Sequence, residues 1–155
     1  ISSKVRKNLG GLKVAPYYGC QVVRPQPSFD HPESPQSLDK LIASLGAEPV
    51  PFPLKSRCCG GSLIISEEAL SLDLIRMLFD CAVSNGAELL VTVCPLCQMN
   101  LDAYQSRVNK KFKNNFNLPV LFFTQLMGVA FGLSDESLGL KTSIVPPHKV
   151  LAKYF

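Results

Sequence analysis

Within these 155 residues no apolar run reaches the roughly 18 needed to cross a bilayer, and charged side chains make up only 18%. That excludes a spanning helix. Ile1 to Gly10 carries Lys4, Arg6 and Lys7 with few hydrophobes, so it does not read as a secretory signal, and a soluble, non-exported, cytoplasmic protein is expected. No G-x-G-x-x-G or phosphate loop is present, so a nucleotide site is not supported. A hydrolase serine elbow is also missing. The net charge of +4 is small, and no basic stripe interleaved with aromatics runs through the chain, which excludes nucleic acid as an expected partner. The cations gather only at Arg107, Lys110, Lys111 and Lys113, where a helix should end and its dipole favours positive charge; docking of an acidic redox partner is the second reading. No internal repeat is visible.

What is present is a core and a set of thiols. With 46% hydrophobic residues the chain is long enough for one packed domain, expected over residues 12–155 and preceded by a linker at 1–11. The first residue is not Met, so the chain reads as part of something longer. Six cysteines beside so large a core do not suggest a disulfide scaffold. Five of them follow the spacing C-x37-C-C-x34-C-x2-C, at Cys20, Cys58, Cys59, Cys94 and Cys97. Metal or redox chemistry follows from that pairing.

The chain alternates strand and helix. Lys13 to Gly19 reads as a first strand, with Pro16 demanding a bulge or a sheet edge. Arg24 to Pro35 is a loop. Ser34 as N-cap and Pro35 at the first position open a helix to Leu45, closed by Gly46. Glu48 to Pro53 is a short second strand. Ser66 caps a long helix ending at Asn85-Gly86, with Leu70, Leu74, Met77, Leu78, Cys81 and Ala82 expected on its inner face. Glu88 to Val93 is a strand buried on both faces. A helix over Gln98 to Lys113 follows, amphipathic through Met99, Leu101, Tyr104, Val108 and Phe112. Val120 to Phe123 is the fourth strand, Thr124 to Gly132 a helix, Glu136 to Gly139 a turn, and Val150 to Phe155 a surface tail. The expected fold is α/β: an open, mainly parallel sheet of about four strands with helices on both faces.

In such a sheet, sites form beyond the C-terminal strand ends. Cys20 follows the first strand, Cys58 and Cys59 the second, Cys94 and Cys97 the third, so three segments deliver sulfur to one rim. The mouth of the helix after Cys94 favours thiolate. Four thiolates suit structural zinc or a cubane iron–sulfur cluster. A fifth exceeds either need, and adjacent cysteines chelate one ion poorly but can serve different atoms of a larger cluster. A reversible Cys94–Cys97 disulfide is a further possibility. Gly60 and Gly61 permit positive φ and a close backbone approach. Cys81 is expected as a small buried hydrophobe outside the site. His31 and His148 lack ligand spacing and read as exposed or structural. Tyr17 and Tyr18 either cover the centre or pack the strand.

The stretches YYGCQVVRP (Tyr17 to Pro25), FDHPESPQSLDKLIASLGAEPV (Phe29 to Val50), RCCGG and CPLCQMNLD resemble the cysteine-rich CCG domain of the B subunit of heterodisulfide reductase. Related domains occur in thiol–fumarate reductases, iron–sulfur subunits of glycolate and lactate oxidation, and certain succinate dehydrogenase anchor subunits. The resemblance implies a non-cubane [4Fe-4S] cluster on Cys20, Cys58, Cys59, Cys94 and Cys97. It implies reductive cleavage of a small disulfide, such as that joining coenzymes M and B. The implied partners are an iron–sulfur C-type subunit and a flavin subunit, in a complex peripheral to a membrane in some relatives. The family carries two such domains in succession, and one cysteine set here resembles the C-terminal one. The gap of 34 between Cys59 and Cys94 is short for the family.

Overall fold

Four parallel strands form one sheet: β1 (Lys13–Tyr17), β2 (Glu48–Pro49), β3 (Leu89–Thr92) and β4 (Val120–Phe122), in the order β2-β1-β3-β4. The computed structural model describes residues 2–24 and 30–155; Ile1 and part of the Arg24–Pro35 loop lie outside the described residues. The helices are α1 (Ser37–Ser44), α2 (Glu68–Ser84), α3 (Pro95–Ala103), α4 (Gln105–Phe112), α5 (Phe123–Ala130), α6 (Asp135–Leu138) and α7 (His148–Leu151). Alternation along each strand divides the core. Val14, Leu89, Val91 and Leu121 face a cluster with Leu38, Ile42, Leu126 and Leu151. Ala15, Tyr17, Leu90 and Val120 face another with Ile75, Leu78, Leu101 and Val108. Helices therefore cover both faces, as the sequence pattern requires.

Pro16 is accommodated without a bulge. β2 pairs only with Lys13 and Val14, while β3 pairs along β1 as far as Tyr17. In β1 the groups of Leu12 and Val14 point toward β2, so the missing donor of Pro16 points to the same side, beyond the end of β2. The second strand is shorter than expected; the amides that reach β1 are those of Glu48 and Val50, so Pro49, Pro51 and Pro53 fall on its outer edge, where no donor is needed.

Helix boundaries moved for identifiable reasons. α1 begins at Ser37 rather than at Pro35 behind a Ser34 cap, because the Asp30 carboxylate accepts the amides of Gln36 (2.9 Å) and Ser37 (2.7 Å). Burial opposes ionisation of Asp30, but these bonds and that from His31 prevail and lower its carboxyl to about 2. α2 begins at Glu68, after Glu67 at the N-cap, rather than at a Ser66 cap. Its face is also rotated: Ser71, Leu72, Ile75, Leu78, Phe79 and Ala82 are buried, whereas Leu70 and Met77 are 50% and 43% exposed. Both stripes have helical spacing, and only packing against the sheet selects between them. The helix expected over Gln98–Lys113 starts three residues earlier, at Pro95, and breaks at Tyr104 into α3 and α4. Met99, expected inside, is 52% exposed.

The segment 1–11, expected as a linker, lies against the domain over its described residues: Leu9 is fully buried, and the Arg6 and Lys7 amides donate to the Ala130 carbonyl. At the other end the tail enters the core through Leu151 and Tyr154 instead of lying on the surface.

Candidate metal centre

The chain leaving β1 crosses to β2, and the chain leaving β3 crosses to β4, so the two central strands end at a topological switch point. Cys20 lies in the turn after β1. Cys94 is the N-cap of α3, separated from β3 only by Val93, with Pro95 at the first helical position and Cys97 at the third. Cys58 and Cys59 sit in the irregular segment between β2 and α2.

These segments meet. The sulfurs of Cys59 and Cys97 are 3.4 Å apart. Cys20 interacts electrostatically with Cys58 and Cys59, and Cys97 with Cys94 as well as Cys59. A Cβ on Gly19, whose φ is +67°, would stand 3.2 Å from the Cys97 sulfur, so a glycine is required where β1 hands over to the site. Gly60 has φ +76°, and a Cβ there would be 2.9 Å from the Cα of Ser71; Gly61, by contrast, has no positive φ. All six cysteines are free, and exposure is graded from the buried Cys59 and Cys97 through Cys20 and Cys94 to the exposed Cys58. Cys81 stands apart on α2, half-buried, 4.0 Å from the Asn85 amide nitrogen.

The electrostatics depart from expectation at the helix mouth. The hydrogen bond from Cys97 leads in lowering the Cys59 thiol to about 6, against the cost of burial and with help from the Gly61 amide, Asn100 and Tyr17. The same bond, then burial and the neighbouring thiolate, raise Cys97. Of this pair Cys59 therefore carries the thiolate, because two buried charges in contact are prohibitive and Cys59 collects more donors. Burial raises the Cys20 thiol, and the Cys58 charge adds to it. Burial also lifts the Tyr17 hydroxyl above the usual phenol range, reinforced by Cys59, Cys97 and Cys58.

Among the described residues no group of three or more His, Cys, Asp or Glu side chains is arranged to hold a metal ion. The Cys59 and Cys97 sulfurs are in contact, and the other thiols stand around them without closing into one tight shell. An all-sulfur donor set spread in this way fits a multi-iron cluster better than single zinc, whose four ligands converge on one point.

Tyr17 belongs to this site: its hydroxyl donates to the Arg57 carbonyl at 2.7 Å. Tyr18 does not. It lies on the other face, donating to Asp39 (2.6 Å) and accepting from the Leu38 amide at 2.7 Å. His31 Nδ1 accepts the Glu33 and Ser34 amides, and His148 pairs with Asp135 at 3.0 Å, so both histidines are structural. Sequence patterns gave no weight to two buried polar residues beside the thiols. Asn100 donates to the Cys59 carbonyl at 2.9 Å and Ser71 to the Gly60 carbonyl at 2.9 Å. The available signal for Asn100 was its place one helical turn after Cys97.

A groove of about 390 Å³ runs beside Cys58, lined by Arg24, Leu54, Arg57, Leu74 and Met77. The outward flank of α2 thus becomes one wall of it. A larger hollow of about 630 Å³, lined by Glu88, Pro119, Lys149 and Lys153, lies by the N-terminal ends of β3 and β4, away from the sulfurs. The cations of α4 lean on the start of α2: Arg107 pairs with Glu68, and Lys111 donates to the Ala69 carbonyl at 3.1 Å.

A small α/β domain whose free thiols gather at the switch point of a parallel sheet defines a cysteine-rich redox-type site. The chain belongs to the CCG cysteine-rich domain family, whose model matches residues 14–102. It is 36% identical over 97% of its length to the 8-methylmenaquinol:fumarate reductase membrane anchor subunit of Wolinella succinogenes, covering 54% of that protein. It is 34% identical over 93% of its length to the B subunit of the ferredoxin:CoB-CoM heterodisulfide reductase of Methanosarcina mazei, covering 49% of that protein. The chain therefore spans about half the length of these curated relatives. A hypothetical protein from Helicobacter pylori shares the fold, with a TM-score of 0.71 at 17% identity over 91% of this chain and 26% of that one. No helix among the described residues is long and apolar enough to cross a membrane.

Proposed function

We propose that this chain is the cysteine-rich domain of an oxidoreductase subunit, holding a non-cubane [4Fe-4S] cluster on Cys20, Cys58, Cys59, Cys94 and Cys97. The observation that carries this reading is the gathering of five free thiols, from three separate segments, at one sheet edge. When bound, such a cluster supplies a redox centre at which a disulfide sulfur can be reduced. The similarity to heterodisulfide reductase B subunits supports that chemistry. Cleaving a disulfide to two thiols takes two electrons and two protons, with the electrons delivered by an iron–sulfur partner subunit fed from a flavin subunit. Cys58 is the solvent-facing sulfur, and the groove beside it offers Arg24 and Arg57 to an anionic substrate and leucines to its carbon chain. Burial of Cys59 and Cys97 keeps water from the inner sulfurs. The likeness to a fumarate reductase anchor supports a place in a complex that sits peripherally on a membrane.

Iron and sulfide analysis with EPR on the anaerobically reconstituted full-length protein tests the reading. Alanine at any of the five cysteines is expected to lower iron content by about half or more, with Cys81→Ala unchanged. Stoichiometric zinc with one of the five dispensable would replace this reading with a structural four-cysteine module.

A further inference from the structure

The twin-cysteine loop is irregular and yet largely buried at Cys59, so its backbone groups need partners that no helix or strand supplies. Three carbonyls in four consecutive residues are taken by side chains from three different elements. Tyr17 of β1 donates to the Arg57 carbonyl at 2.7 Å, Asn100 of α3 to the Cys59 carbonyl at 2.9 Å, and Ser71 of α2 to the Gly60 carbonyl at 2.9 Å. All three donors are completely buried. Among the described residues no backbone amide donates to the Arg57 or Cys59 carbonyl, whereas that of Gly60 also accepts the Leu63 amide at 2.8 Å. Asn100 commits its one amide nitrogen here even though its Oδ1 is left buried without a partner. An unpaired buried acceptor is costly, so this bond is held at the expense of another.

We propose that Tyr17, Asn100 and Ser71 are positioning residues that clamp the Cys58-Cys59-Gly60 backbone, presenting the Cys59 sulfur to its partners before any metal arrives. Their role toward a cluster rests on the reading of Cys58 and Cys59 as ligands; the clamp itself does not. The side chains fix the loop from β1, α2 and α3 at once, so it keeps register with Cys97, whose sulfur lies 3.4 Å from that of Cys59.

The test uses the full-length protein, metal-free and anaerobic, with alkylation of each cysteine by iodoacetamide followed by mass spectrometry, each rate being read at its alkaline plateau, where the Cys59 thiol is fully ionised and the help that Asn100 and Tyr17 give its thiolate no longer enters. Asn100→Leu is expected to speed alkylation of Cys59 about tenfold, the change that losing one buried hydrogen bond makes in a local opening equilibrium. Tyr17→Phe, which keeps the ring, is expected to act in the same direction and serves if Asn100→Leu does not fold. The control is Gln105→Leu, which breaks two buried side-chain bonds away from the loop, one donated to the Leu118 carbonyl (2.7 Å) and one accepted from the Leu118 amide (3.0 Å). Cys59 alkylation in Gln105→Leu should stay within about twofold of wild type. Wild-type rates in both clamp variants, or equal acceleration in the control, would overturn the proposal. Iron content after reconstitution is read in parallel. Failure of wild type to take up iron sinks the cluster reading and leaves the alkylation result to decide the clamp; normal iron uptake with unaltered Cys59 reactivity in the variants sinks the clamp alone.

Discussion

Gly19 carries two constraints in one residue. Its φ of +67° is a conformation that costs an L-residue about 1–2 kcal/mol, and the space a side chain would need is taken by the Cys97 sulfur at 3.2 Å. Gly19→Ala should therefore lower unfolding stability by about 1–2 kcal/mol in urea, with no change in m-value. It should also displace Cys97 and reduce iron retention, whereas alanine at Gly86 (φ +78°), whose Cβ would meet nothing nearer than 4.0 Å, should show the stability loss alone. Equal iron retention in the two variants would refute the close approach of β1 to α3.

At the scale of elements, α2 has two apolar stripes and buries only one. Ile75 is fully enclosed against the sheet, and Met77 is 43% exposed on the groove side. Ile75→Ala is expected to cost about 2–5 kcal/mol through the cavity it leaves, and Met77→Ala under about 1 kcal/mol. Denaturant unfolding of the two variants measures the orientation of the helix directly, since the reverse ranking would turn α2 by roughly a quarter of its circumference. The exposed stripe is not idle apolar surface. Leu74 and Met77 form the wall of the groove that opens at Cys58.

For the molecule as a whole, the core stands on both sheet faces while the thiols occupy one rim. The cluster around Val14, Leu38, Ile42 and Leu126 contains no cysteine at all, and the opposite one includes Cys59 and Cys97 among mostly aliphatic and aromatic residues, with Cys81 and Cys94 packed against it. Metal removal by an anaerobic chelator should thus leave far-UV circular dichroism and the protection of β1 and β3 amides intact. Hydrogen exchange should rise only around residues 19–21 and 94–98, while the loop at 57–61, held by Tyr17, Asn100 and Ser71, stays protected. A chain that unfolds on chelation, in the manner of a small zinc domain, would show that the metal and not the two cores holds it together.

Several of these features were legible before any coordinates. Strand and helix alternate in the hydrophobic pattern, and five cysteines follow strand ends, so an open parallel sheet with a sulfur-lined rim could be read directly. Those signals are local: period, composition and spacing along the chain. The remainder was decided by contacts between positions far apart in sequence. Asp30 takes over the capping that Ser34 was expected to perform, the sheet chooses Ile75 over Met77, and Tyr17, Ser71 and Asn100 converge on carbonyls up to 41 residues away. Period, composition and spacing are enough to say which elements form and in what order; the side chains that hold the cysteine-bearing loop are chosen by folding, because a hydrogen bond between distant residues leaves no periodic trace in the chain.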